Sequence, residues 1–229
     1  MVALERTSWW PRLDRGDLLI EMAAVCGVLA AATHWLIGQG GLLGACMPPI
    51  LFFVAGMGVP IARGRGFRLQ CISERGLKRD LALLALALCV AFVLLYWGLI
   101  AVRHFSLDIP LAVPPAEGQW LVWAVHQVTH VAVPEEVFFR GYLVSTLDLL
   151  CQRGTCSGPG TGQMAAILGS ALIFGLFHAI AWESGYALLT FFPGAVMAWL
   201  FLRTKSLLMP VLFHALANIG YGAAVSSAG

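Results

Sequence analysis

The chain has 229 residues, of which 59% are hydrophobic and only 11% charged, with a net charge of +2 and a mean hydropathy of +0.83. A soluble domain carries about 25% charged residues, so this composition excludes an ordinary water-soluble globule and makes lipid the main solvent. No basic patch interleaved with aromatics suggests nucleic acid, and no polar stretch is long enough for a separate soluble domain; residues 1–229 read as a single membrane domain.

A spanning helix needs about 20 mostly apolar residues. In chain order, the predicted spans cover residues 18–37, 42–62, 81–102, 120–143, 164–181, 186–202 and 207–223. No ten-residue alternating strands occur, so a barrel is excluded. The expected fold is therefore all-α, a bundle of about seven transmembrane helices around a polar intramembrane cavity. The first span is about full length and lacks a small-residue cleavage site, so it does not read as a cleaved signal peptide.

Basic residues set the expected orientation. Arg6, Arg12 and Arg15 lie in the N-terminal tail, and Arg63, Arg65, Arg68, Arg75, Lys78 and Arg79 cluster after the second span. With the N-terminus cytoplasmic, these fall inside together with Arg153, Arg203 and Lys205, while Arg103 falls outside and Arg140 stays within the fourth span. A bacterial inner membrane is the expected location. Residues 103–119, with Pro110, Pro114 and Pro115, read as an irregular external loop, and 152–163 as a flexible internal one. Cys26, Cys46 and Cys89 sit in apolar runs as small hydrophobes. Cys151 and Cys156 match no common zinc spacing and are taken as structural. Gly194 and Ala198 form a small-x-x-x-small pair suited to close helix packing.

Ionisable residues are costly in lipid and mark function. The fourth span contains Pro134, Glu135, Glu136 and Arg140; the fifth contains His178, the seventh His214 and Asn218. Glu136 and Arg140 are four apart, on one helical face, and suit an ion pair. Glu135 is rotated by about 100° from Glu136 and has no helical cation beside it, which leaves it as a better base for water. A purely structural bridge through Arg140 is the alternative reading of this pair of glutamates. His126-Gln-Val-Thr-His130 imitates a zinc-protease motif but has Gln127 where the base belongs. Its histidines face away from Glu135, so packing or a lumen contact is the expectation.

Taken together, E-E-x-x-x-R (Glu135, Glu136, Arg140), F-x-x-x-H (Phe174, His178) and H-x-x-x-N (His214, Asn218) resemble the core of the CAAX-processing and bacteriocin-immunity family of intramembrane proteases. That family includes the Abi proteins and the type II CAAX prenyl endopeptidases. The resemblance covers residues 120–222; residues 1–119 match no motif and read as variable N-terminal helices. It implies endopeptidase action on a membrane-bound protein or peptide near its anchor. Glu135 would be the general base, His178 would share and orient the water, and His214 and Asn218 would donate to the oxyanion. Glu136 and Arg140 would support the site.

No cofactor is expected, because H-E-x-x-H is lacking. A zinc variant, with Glu135, His178 and His214 as ligands, stays open. Two rival classes are a non-catalytic immunity or scaffold protein and a small transporter with a proton relay. Counting the helical rise places Glu135, His214 and Asn218 at similar depths, but His178 nearer the outer face.

Overall fold

The computed structural model describes residues 14–63, 76–105, 115, 116, 118–152 and 160–228. Arg6, Arg12, Arg65, Arg68, Arg75, Pro110, Pro114, Arg153 and Cys156 lie outside the described residues. The described residues form seven helices. These are α1 (Arg15–Gln39), α2 (Gly41–Ala62), α3 (Leu77–His104), α4 (120–150), α5 (Thr161–Ala181), α6 (Phe191–Thr204) and α7 (Leu208–Ala228). A 3-10 turn, Gly185–Thr190, leads into α6. Six segments are long and apolar enough to cross a membrane: α1, α2, α3, α5, α7, and α6 together with the 3-10 turn before it (Gly185–Thr204). The chain is an all-α integral membrane protein.

Large apolar side chains point outward on several helices, among them Ile20, Leu42, Leu94, Leu121 and Phe192. In water this surface would be untenable, whereas in lipid it is the solvated face. The interior is built around α4, whose Phe138, Phe139, Tyr142 and Leu143 are buried against Phe52 of α2, Phe174 and Phe177 of α5, Met197 of α6 and Phe213 of α7. Because lipid tails are as apolar as these side chains, close packing rather than water exclusion holds the helices together. Glycine provides that closeness at two points. A Cβ on Gly56 would lie 2.8 Å from the Phe138 backbone, and one on Gly194 would lie 3.1 Å from a ring carbon of Phe174.

Helix α4 departs from the uniform span expected at 120–143. It runs as α-helix over Trp120–His126, π-helix over Gln127–Ala132, α-helix over Val133–Glu136, π-helix over Val137–Val144, and α-helix again over Ser145–Leu150. Pro134 gives a cause for the first π segment: it has no N–H and its ring crowds the carbonyl one turn back, so the preceding backbone widens. The helix also continues past residue 143. Ser145 and Asp148 lower the hydropathy there, but Thr146 and Leu150 are buried, and hydropathy marks lipid contact rather than backbone hydrogen bonding.

Candidate active site

The two adjacent glutamates occupy the single α-helical turn between the π segments of α4. Glu136 is fully buried. Its Oε1 accepts from Arg140 Nη1 at 2.9 Å and from His214 Nδ1 at 2.8 Å. Arg140 donates onward from Nη2 to the Gly194 carbonyl at 3.0 Å, and its guanidinium lies 4.9 Å from the centroid of the Phe174 ring. A buried charge is tolerable only when paired and hydrogen-bonded. Glu136 and Arg140 are paired, with Glu136 Oε2 and Arg140 Nε left without a hydrogen-bond partner among the described residues, and the cluster ties α4 to α5, α6 and α7. Glu136 thus has two partners, where helical spacing suggested only Arg140.

Glu135 has a different environment. Its Oε2 is buried without a hydrogen-bond partner among the described residues. It lies 3.9 Å from His178 Nε2 and 4.0 Å from His214 Nε2. Both histidines have their other nitrogen committed. His178 Nδ1 is 2.9 Å from the Phe174 carbonyl, which can only accept, so Nδ1 carries the proton and neutral His178 presents an Nε2 lone pair to Glu135. His214 Nδ1 likewise donates to the Glu136 carboxylate. Phe174 spans the pair, its ring 4.3 Å from that of His178 and 6.0 Å from that of His214. Trp182, one turn beyond His178, meets that ring edge-on at 5.1 Å.

The structure therefore brings Glu135, His178 and His214 together, across three helices. The depth offset expected for His178 is corrected: Glu135 falls near the middle of the lengthened α4, and α5 ends only one turn after His178, so the two meet. Asn218 is a turn beyond His214 on α7 and donates from Nδ2 to Gln127 Oε1 at 2.8 Å. Gln127 is a partner of Asn218 that the sequence reading treated only as a missing base. The imitation motif around it divides: Gln127 turns toward α7, while His126 and His130 are exposed and stack on each other with ring centroids 4.9 Å apart. His130 Nδ1 is 2.8 Å from Thr129 Oγ1. Trp182 continues the four-residue spacing from Phe174 and His178, a signal that was present in the sequence. The Gly194 carbonyl left none.

As placed, Glu135, His178 and His214 do not form a metal-ligand set, and no cluster of His, Cys, Asp or Glu suited to a metal occurs among the described residues. Ligands about 2.0–2.1 Å from a tetrahedral zinc lie roughly 3.3 Å from one another, shorter than the 3.9 and 4.0 Å found here. A water about 2.8 Å from two partners spans such gaps at an angle of roughly 90°.

The helix bundle thus converges a carboxylate and two oriented imidazoles within its interior. Residues 117–220, a little under half of the chain, match the family model described as type II CAAX prenyl endopeptidase, Rce1-like. No curated protein and no solved structure gives a significant match.

Proposed function

We propose that the chain is an intramembrane endopeptidase that cleaves a membrane-anchored protein or peptide near its anchor, prenylated C-termini being the substrate class suggested by the family of residues 117–220. The observation that carries this reading is the Glu135 carboxylate facing two Nε2 atoms at 3.9 and 4.0 Å. A water between Glu135 Oε2 and His178 Nε2 would donate one proton to each, leaving an oxygen lone pair for the scissile carbonyl. As the bond forms, Glu135 takes the proton and later delivers it to the leaving amine. The Glu135 and His178 side chains are 17% and 14% exposed, while Glu135 Oε2 itself is buried.

His214 and Asn218 would stabilise the oxyanion. With Nδ1 committed to Glu136, His214 donates from Nε2 only when both its nitrogens carry protons, and Glu136 then supplies the counter-charge. A non-catalytic immunity or scaffold role explains the buried Glu136–Arg140 cluster equally well. It gives no reason for a second carboxylate, Glu135, to face two histidine Nε2 atoms at 3.9 and 4.0 Å.

The test uses the purified chain in liposomes with an internally quenched, farnesylated peptide ending in a C-a-a-X sequence. The wild type should cleave it. Glu135→Gln, which keeps the shape but accepts no proton, should bind it and not cleave it. Cleavage at wild-type rate by a folded Glu135→Gln protein would refute Glu135 as the base.

A further inference from the structure

Gln127 is the first residue of the π segment that precedes Pro134. In a uniform α-helix, eight residues turn through about 800°, which would leave Gln127 about 80° away from the face of Glu135. A π turn advances fewer degrees per residue, so the segment 127–132 rotates Gln127 back toward the Glu135 face. There its Oε1 accepts the 2.8 Å hydrogen bond from Asn218 Nδ2. His126 and His130, on either side, stay exposed.

We propose that Gln127 is a positioning residue for Asn218. Its carbonyl oxygen fixes the orientation of the Asn218 amide, so that the second Nδ2 proton is held ready for the oxyanion rather than rotating with the side chain. The role rests on the protease reading and adds to it a residue outside the three motifs. The amide group has two donor hydrogens and one acceptor oxygen. With one hydrogen held by Gln127, the direction of the other is fixed by the plane of the group. Without that anchor, Asn218 loses orientation but keeps its chemistry, and a misaimed donor stabilises the transition state less. The polarity of the contact makes the proposal specific: Gln127 must accept, so an isosteric acceptor should serve and an isosteric apolar side chain should not.

The variants are Gln127→Met, which keeps length without an acceptor, and Gln127→Glu, which keeps the acceptor. They are assayed on the farnesylated reporter in liposomes beside wild type, Asn218→Ala and the Gln127→Met/Asn218→Ala double variant. Loss of one neutral hydrogen bond corresponds to about a 3- to 10-fold effect. Gln127→Met should lower kcat by about that factor with KM unchanged, and Gln127→Glu should stay within about twofold of wild type. In the Asn218→Ala background, Gln127→Met should have no further effect on kcat.

Thermal stability of wild type, the two single variants Gln127→Met and Asn218→Ala, and their double variant reads the pair without using activity. The double variant should be no less stable than the worse single one. Independent, multiplicative losses in kcat, or a Gln127→Glu as slow as Gln127→Met, would overturn the positioning role. Stability coupling with unchanged kcat would reduce the contact to packing and overturn it too. A reporter that the wild type leaves intact would instead count against the protease reading, and the stability cycle would still report whether Gln127 and Asn218 are joined.

Discussion

Replacing Arg140 by Met should cost the fold far more than replacing Glu135 by Gln, although both residues lie in the same motif. Arg140 is 1% exposed and Glu136 is 0% exposed at the side chain. Removing the guanidinium strips one of two donors from Glu136 Oε1 and the donor from the Gly194 carbonyl. Breaking a buried ion pair by removing one partner costs about 3–5 kcal/mol, a large share of the roughly 5–15 kcal/mol that holds a typical domain folded. For a chain of this size that is a fall of roughly 6–20 °C in the unfolding midpoint. Glu135→Gln removes a charge from an oxygen that has no hydrogen-bond partner among the described residues, so its midpoint should equal or exceed that of wild type.

The two variants are compared by yield in the membrane fraction and by thermal unfolding in detergent, with a third, Glu136→Gln/Arg140→Met. In this double variant the unpaired charge is gone, and the amide oxygen that replaces the Glu136 carboxylate can still accept from His214 Nδ1, so part of the loss should be recovered. If Arg140→Met unfolds at the same temperature as Glu135→Gln, or the double variant is as unstable as the summed single changes, the division between a structural and a chemical glutamate is wrong.

Activity should survive a membrane-permeant chelator, and active protein should carry no stoichiometric zinc by elemental analysis; activity restored only by zinc would reassign His178, His214 and Glu135 as ligands. Gly56→Ala should lower the unfolding midpoint, at a cost of about 1–3 kcal/mol, because its new methyl would meet the backbone of Phe138 at 2.8 Å; an unchanged midpoint would mean that α2 and α4 separate freely. His126→Gln/His130→Gln should leave kcat on the reporter within about twofold, since loss of a single essential donor would cost at least about 10²; a larger fall would bring that pair into the mechanism.

The helix content and the membrane setting were legible because 59% hydrophobic residues leave few other solutions. The convergence of Glu135, His178 and His214 was an expectation carried by three motifs, each resting on a four-residue helical spacing. What escaped the sequence was everything that departs from that spacing or involves backbone. Gln127 meets Asn218 from a π segment, whose altered rotation no α-helical wheel contains. The Gly194 carbonyl receives Arg140 without any side chain to announce it. The second partner of Glu136, His214, is 78 residues away, and local periodicity carries no information on such pairs. The end of α4 was placed early, at 143, since polar residues near an interface look the same whether the helix stops or continues.

The π segments of α4 also set what changes in length this helix tolerates. Each amounts to surplus chain absorbed by a wider turn, and the α-helical turn with both glutamates sits between them. Deleting one residue from 128–131 would let the backbone relax into an ordinary α-helix, locally the more comfortable state. Seven α-helical residues turn through about 700°, so the same deletion would leave Gln127 within about 20° of the Glu135 face, with every motif residue intact in the sequence. A homologue that kept all three motifs but lacked one residue there would present the same signature on a plain α-helix of nearly the same phase.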